Sequence, residues 1–340
     1  MIIARTPLRI CLGGGGTDIM DYYSRFGGYL ISAAINQYIY IVIHKHFEKN
    51  IRLCYSQREI VHSSEEVKHP VVQEAMKMFN IKGGGIEIIS FADIPSDTGL
   101  GTSSSFTVGL ITVLAAFKKI NLTRFEIAEM AVKIEREILK EAGGKQDQYI
   151  AAFGGITCLM FEKDGRVIPT PLKISHENVK MLEESALIFY TGMRRNSPPV
   201  QTKLIEGIKK GKTTLSSLHF IKELGFRTEA VLSNGNIQEY GKLLDEHWQA
   251  KKKLSDKISN ARVNEIYDEA LSLGATGGKL IGAGGGGYLL LYCPTDKTKA
   301  NVRNLMKKEE MEEMRYKFEF EGTKILIDDT ADEKYSEIKR

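Results

Sequence analysis

At 340 residues with 42% hydrophobic content, the chain exceeds one usual domain length and has ample material for a buried core, so two domains are expected. A formal net charge of +4 suits an anionic small molecule and excludes the basic footprint of a nucleic-acid binder. No segment approaches a transmembrane run, and "MIIARTPLRI" lacks a signal-peptide build. The four cysteines, Cys11, Cys54, Cys158 and Cys293, form no CxxC pair and read as buried thiols in a reducing cytosol.

In chain order, "YLISAAINQYIYIVIHKHF" is rich in Ile and Tyr and ends in alternation, which predicts a strand. His44 and His46 would share one face of it, but no third ligand and no HExxH accompany them, so zinc is not indicated. "GIEIISFADI" predicts a strand entering the loop "PSDTGLGTSSSF". The apolar "FTVGLITVLAAFKKI" has helical length, with Ser103 to Ser105 as N-caps. "TRFEIAEMAVKIEREILKEAGG" predicts a second helix, opened by a capping box of Thr123 and Glu126 and stopped by its glycines. "GGITCLMFEKDGRVIPTPL" predicts a hairpin turning at Asp164-Gly165. Around Leu182 the texture changes. "ALIFYTG" predicts a buried strand, and helices fill about 200–272. "GGKLIGAGGGGYLLLYC" predicts two strands about a glycine turn, followed by a helix near "KTKANVRNLMKKEEM" and a final strand "KFEFEG". Strands and helices alternate in both halves with hairpins, so the expected class is α+β with a mixed sheet.

Three glycine clusters stand out: "GGGGTD" at 13–18, "GLGTSSS" at 99–105 and "GAGGGG" at 282–287. Each alone could be a turn. "GIKKGKT", Gly207 to Thr213, has three residues between its glycines where a Walker loop needs four, and reads as a surface turn. "GATGGK" fails on the same spacing. "GGGGTD" lacks an obvious following helix, which argues against a dinucleotide fold. "PSDTGLGTSSSF" suits phosphate, because glycines let backbone N–H groups approach an anion and the next helix offers its positive end. Ser103 at that helix start could give a hydroxyl to Mg²⁺. Glu135 in "KIERE" and Asp147 in "GGKQDQYIAAFGG" are the informative acids; their plain readings are a solvated helix charge and a turn carboxylate beside Gly144. The polar "KQDQ" running straight into apolar "YIAAFGGI" is more like a pocket wall.

"RTPLRICLGGGGTD", "PSDTGLGTSSSF" and "KLIGAGGGGYLLLY" resemble, in order, the three motifs of the GHMP kinases, over nearly the whole chain. The sugar-1-kinase branch is closest, and "EREIL…GGKQDQYIAAFGG", "FYTGMRR" and "HWQAKKKLSDKISN" resemble the heptose 7-phosphate kinases within it. The resemblance implies a ribosomal-protein-S5-like N-terminal domain, 1–182, and a ferredoxin-like C-terminal domain, 183–340, with the active site between them. It implies use of ATP and Mg²⁺ on a sugar phosphate; with ATP use, the absent signal and the unpaired cysteines, a cytoplasmic monomer or homodimer is expected, without nucleic acid or membrane. The acceptor would be the anomeric C1 hydroxyl of D-glycero-D-manno-heptose 7-phosphate, giving the 1,7-bisphosphate for nucleotide-activated heptose. The alternatives are a sugar-1-kinase for an unphosphorylated fucose- or galactose-type sugar, a non-catalytic sugar sensor on the same fold, and a decarboxylase of the superfamily, which "GGGGTD" disfavours.

The resemblance also implies roles. Pro95, Gly99, Leu100, Gly101, Thr102, Ser103 and Ser104 would wrap the ATP phosphates; Ser103 and Glu135 would hold Mg²⁺; Asp147 would be the catalytic base or orient the hydroxyl. Gly15, Gly16, Thr17 and Asp18 would bind the sugar, with Lys145, Gln146, Tyr190, Gly192, Gly284 and Gly285 completing the substrate site. Several family members carry lysine where this chain has Arg9. A guanidinium stays charged and could pair with Asp147 or stabilise the transferred phosphoryl; the plain reading is a structural ion pair. Arg195 would take the 7-phosphate, with Arg194, Ser197, Lys145 and the lysines at 251–253 as further candidates.

Overall fold

The computed structural model describes residues 1–193 and 197–332, without the side chains of 197–199, 210, 331 and 332. Arg194 and Arg195, and the side chain of Ser197, therefore lie outside the described residues.

The N-terminal body is built on β1 (Ile2–Gly13) and β2 (Gly28–Lys45), joined through helix α1 (Met20–Phe26). β2 runs for 18 residues and serves two neighbours on one edge. Its first part, Gly28 to Ala33, pairs with β6 (Ile156–Phe161), and its last part, Ile39 to Lys45, pairs with β5 (Ile86–Ala92). β3 (Ile51–Cys54) and β4 (Arg58–Val61) continue the sheet beyond β5, and β7 (Val167–Pro171) extends it beyond β6. β3 pairs with β5 in parallel while the other pairings are antiparallel, so the sheet is mixed. The β6–β7 turn falls at Asp164-Gly165 as expected, with Gly165 at φ +92°.

Helix α2 (Pro70–Met78) precedes β5, and α3 (Thr102–Phe117) follows it. α3 packs on β1 and β2. That approach needs Gly109, because a Cβ there would lie 2.7 Å from Thr6 Oγ1 and 3.1 Å from Ile41 Cγ1. The helix is capped by Gly101, in the left-handed region at φ +81°, so Ser103 to Ser105 lie inside the first turns and are not its N-caps. Helix α4 (Arg124–Val132) carries the expected capping box of Thr123 and Glu126. It then widens into a π-turn over Lys133–Ile138 and ends before Gly143 and Gly144, so the glycines do not stop it. Helix α5 (Gln146–Phe153) follows.

The second body begins after α6 (His176–Ser185) with β8 (Ala186–Tyr190). Helices α7 (Ser197–Lys210), α8 (Lys212–Ser233), α9 (Tyr240–Lys252) and α10 (Ala261–Ser272) fill the region read as helical. β9 (Gly277–Leu280) and β10 (Tyr288–Tyr292) flank the glycine turn, and β11 (Glu312–Glu313) lies on the far side of β8, after α11 (Asp296–Lys308). A second core of Trp248, Tyr267, Leu280, Leu289 and Val302 fills the space between this sheet and its helices.

Three further expectations fail for identifiable reasons. "KFEFEG" is not a strand: Lys317 and Glu319 exchange backbone hydrogen bonds with Ala34, Asn36 and Gly155, where β2 bends, and no ladder forms. The last strand is β12 (Lys324–Asp328), which returns to pair with β1 in the first sheet. Cys54 is exposed, because Ile51 and Leu53 take the inward positions of β3 and alternation turns Cys54 out. "GGGGTD" is followed by a helix after all, the seven-residue α1. Among the described residues, no helix is long and apolar enough to cross a membrane.

Candidate active site

β1 carries Arg9 into the interior at 4% exposure. Past the first glycine cluster, Ile19 forms an isolated antiparallel bridge with Gly144. That bridge sets the start of α5 against the end of β1, and Asp147 sits in the first turn of α5. Asp147 Oδ1 accepts from Arg9 Nε at 2.6 Å and Oδ2 from Nη2 at 2.7 Å, a two-pronged pairing. Arg9 Nη1 donates to the Gly99 carbonyl at 2.6 Å, so one guanidinium ties this acid to the second glycine loop. Burial pulls the Arg9 pKa down, but the adjacent Asp147 outweighs it and holds the pKa above the ordinary arginine value.

Asp18 is 2% exposed. Its carboxylate accepts from the backbone N–H and the side-chain Nε2 of Gln146, and from the Gly16 N–H, each at 3.2 Å. Burial, then the charge of Asp147, push its pKa up, and the Gln146 bonds offset part of this. A Cβ on Gly144 would overlap this carboxylate, which is why the "GGKQDQ" segment opens on glycine.

The second glycine loop lies between the first and third clusters. Arg9 N–H donates to the Leu100 carbonyl at 2.9 Å. From the other side the third cluster presses in: Gly287, at φ +86°, leaves no room for a Cβ against the Thr98 carbonyl. The α3 N-terminus, the positive end of its helix, therefore lies between β1 and the third glycine cluster. Behind it, Glu135 is fully buried in the π-turn. Its Oε2 accepts from Ser104 Oγ at 2.8 Å and Gln148 Nε2 at 2.6 Å, and lies 3.2 Å from Arg136 Nη2. Its Oε1 is buried with no partner. An unsatisfied charged oxygen costs at least about 1–3 kcal/mol, so something outside the protein would be expected to use it. π-turns are frequent at functional sites, and this one places that carboxylate. Ser104 reaches Glu135, whereas Ser103 is exposed on the same turn.

Arg9, Gly15, Gly16, Asp18, Gln146 and Asp147 line one cleft. Thr17 does not reach it: its hydroxyl is spent on the Gly14 and Tyr29 carbonyls. Lys145 donates to the Gly165 carbonyl at 2.8 Å, outside the lining. Tyr190 packs on Tyr288, and Gly282 and Ala283 rather than Gly284 and Gly285 reach the cleft. Gly192, Glu135 and the phosphate-loop candidates Pro95, Gly99, Leu100, Gly101, Thr102, Ser103 and Ser104 are also outside its lining, and Arg9 is what connects the loop to it. The sequence reading missed Cys11, His247 and Lys279 in the cleft, and placed Lys251 only within a run of three lysines. One signal was available: His247 and Lys251 are one helical turn apart, and Lys279 opens the third motif. Among the described residues, no cluster of three or more His, Cys, Asp or Glu could hold a metal by itself.

Residues 67–155 match the GHMP kinases N terminal domain and 228–312 the GHMP kinases C terminal domain. The D-glycero-alpha-D-manno-heptose 7-phosphate kinase of Campylobacter jejuni is 32% identical, over 95% of this chain and 98% of its own length. The galactokinase of Pyrococcus furiosus is 27% identical, over 88% of this chain and 90% of its own. The crystal structure of a D-glycero-D-manno-heptose 1-phosphate kinase from Bacteriodes thetaiotaomicron superposes with a TM-score of 0.80 at 26% identity, covering 96% of this chain and 99% of that one. With both family domains matched in order and a relative 32% identical over 95% of its length, the chain belongs to the GHMP kinases, phosphotransferases that act on an alcohol.

Proposed function

We propose that this kinase transfers the γ-phosphoryl group of ATP to the anomeric C1 hydroxyl of D-glycero-D-manno-heptose 7-phosphate. The observation that carries the chemistry is the Arg9–Asp147 fork at the junction of the cleft and the phosphate loop. The substrate reading is supported by the heptose 7-phosphate in the name of the C. jejuni relative, while the name of the B. thetaiotaomicron relative supports only the coarser class of heptose phosphates.

In this reading the backbone of 99–104 and the start of α3 receive the ATP phosphates, and Asp18 with Gly15, Gly16 and Gln146 holds the sugar hydroxyls. Asp147 receives the C1 hydroxyl. The C1 oxygen attacks the γ-phosphorus, the bond to the β–γ bridging oxygen breaks, the proton passes to Asp147, and ADP leaves with the bond electrons. Arg9 fixes both oxygens of Asp147 and keeps its charge beside the transferring group, so catalysis is positioning and charge neutralisation. The donor set fits Mg²⁺, which takes oxygen ligands, few of them from protein: Glu135 Oε1 has no partner, and the hydroxyls of Ser103 and Ser104 lie on the adjoining turn. When bound, Mg²⁺ would neutralise charge on the ATP phosphates. Arg195, which lies outside the described residues, is proposed as one contact of the substrate phosphate and not its whole subsite.

The test is ADP release from Mg-ATP with heptose 7-phosphate, mannose, fucose, galactose and no sugar, with Asp147→Asn as control. Turnover confined to heptose 7-phosphate and lost in Asp147→Asn is the expected result. Turnover with a free sugar alone would overturn the substrate, and undiminished turnover in Asp147→Asn would overturn the mechanism.

A further inference from the structure

The inner wall of the cleft carries more cation than the transfer step uses. Lys279, from β9, is 2% exposed, and Lys251, from α9, is 9% exposed. Lys251 Nζ donates to the carbonyls of Leu280 at 2.8 Å and Gly282 at 2.6 Å, which clamps the entry to the third glycine turn. Lys279 Nζ contacts His247 Nδ1 at 3.1 Å and the Leu12 carbonyl at 3.4 Å. An ammonium in such a place costs several kcal/mol unless its charge is met, and two neutral acceptors do not meet it. No carboxylate forms an ion pair with Lys279 among the described residues. The two acids that line the cleft are committed elsewhere, Asp147 to Arg9 and Asp18 to Gln146. Cys11, which lies close enough to feel Lys279, Arg9 and Lys251, is held as a neutral thiol by burial and supplies no counter-charge.

The imidazole is arranged to add a donor. An ammonium has no lone pair, so His247 Nδ1 must accept and its proton sits on Nε2. That ring also lines the cleft, and Nδ1 is the nitrogen already used. Burial and the two lysines hold the His247 pKa far below its ordinary value, so this tautomer persists at neutral pH. One wall of the cleft thus carries the Lys279 ammonium, which has no carboxylate partner among the described residues and whose pKa burial pulls below the ordinary lysine value, and an N–H donor, with Lys251 on the same wall. Such a set matches a dianion with several acceptor oxygens.

We propose that Lys279 and His247, with Lys251 supporting them, form the subsite for the phosphate monoester that the sugar already carries. The proposal rests on the reading of this chain as a kinase for a phosphorylated sugar, and deepens it by naming the groups that select the phosphorylated form. Lys279 is a specificity residue and takes no part in phosphoryl transfer.

The experiment compares wild type, Lys279→Gln, His247→Phe and Arg195→Ala. It measures kcat and KM for heptose 7-phosphate at saturating Mg-ATP, KM for ATP, and competitive inhibition by inorganic phosphate against the sugar. Losing one charge-assisted bond to phosphate predicts a KM raised roughly 10- to 100-fold in Lys279→Gln, with inhibition by phosphate weakened in parallel. kcat and the KM for ATP stay near wild type, a split that a merely structural lysine would not give. His247→Phe moves the same two quantities in the same direction, and decides the matter where Lys279→Gln does not fold. Unchanged KM and unchanged phosphate inhibition in both variants, with the loss confined to Arg195→Ala, would overturn the subsite while leaving the kinase intact. A wild-type enzyme that turns over only phosphate-free sugars would overturn the substrate reading, and the subsite with it.

Discussion

Arg9 and Asp147 meet through two parallel N–H···O bonds of 2.6 and 2.7 Å, although 138 residues separate them in sequence. The same guanidinium donates to the Gly99 carbonyl, so one side chain ties Asp147 to the second glycine loop. Lysine could supply the charge but not the fork. Arg9→Lys is therefore expected to lower kcat by about 10²- to 10³-fold, the usual loss when a placed charge-stabilising donor is removed. Steady-state kinetics with both substrates saturating checks this; a kcat within a few-fold of wild type would show that the second prong is dispensable.

Glu135 holds Ser104 and Gln148 with one oxygen and leaves the other unpaired. In Glu135→Gln one of those positions becomes an amide donor and the charge is lost. The concentration of Mg²⁺ that gives half-maximal rate is expected to rise about tenfold, in line with about 1.4 kcal/mol of lost interaction. An Mg²⁺ titration at fixed total ATP reads it directly. An unshifted midpoint would make Glu135 a structural carboxylate.

Asp18 is costly to keep ionised, since burial and Asp147 raise its pKa. The folded chain then holds the Asp18 proton to higher pH than the unfolded chain does. Its contribution to stability is complete below the unfolded carboxylate pKa and is lost as pH rises through the folded value. Asp18→Asn removes that dependence. The melting temperature of the variant minus that of wild type should grow from acid to neutral pH, while sugar turnover falls. A difference that stays flat, or shrinks toward neutral pH, would contradict the assignment.

Gly109 tests how the phosphate loop is positioned. Alanine would add about 1 kcal/mol of helix propensity. Against that, its Cβ would come within 2.7 Å of Thr6 Oγ1, which is fixed by a 2.9 Å hydrogen bond to Thr323. Overpacking costs about 1–3 kcal/mol, so Gly109→Ala should be destabilising on balance. Thermal unfolding measures it, and a raised KM for ATP should accompany it because α3 begins at the loop. Unchanged stability would mean that α3 shifts freely.

The parts legible in the sequence were those whose chemistry is local. The helix of 102–117, the turn at Asp164-Gly165 and the capping box at Thr123 follow from residues a few positions apart. Arg9, Asp18 and Asp147 stood out because each lies in or near a run of glycines, and Glu135 as an acid in the helix after the second glycine loop. Contacts set by long-range closure were not legible. Ser104, not Ser103, faces Glu135 because Gly101 opens the helix two residues before Ser103 and rotates that hydroxyl outward. Lys279 and His247 read as ordinary polar residues, since only the packing of α9 on β9 turns both into one cleft wall. Lys145 went the other way, its charge drawn off to the Gly165 carbonyl in the hairpin. β12 was missed because its partner, β1, lies at the opposite end of the chain.

The central claim is that the Arg9–Asp147 pair receives an anomeric hydroxyl. The measurement that tests it most directly is ³¹P NMR of the product formed from heptose 7-phosphate and Mg-ATP. Two sugar phosphate resonances are expected, the original one and a new one coupled to the anomeric proton, with the new one absent in Asp147→Asn. A new phosphate coupled to any other carbon-bound proton, or free phosphate with no new ester, would contradict it.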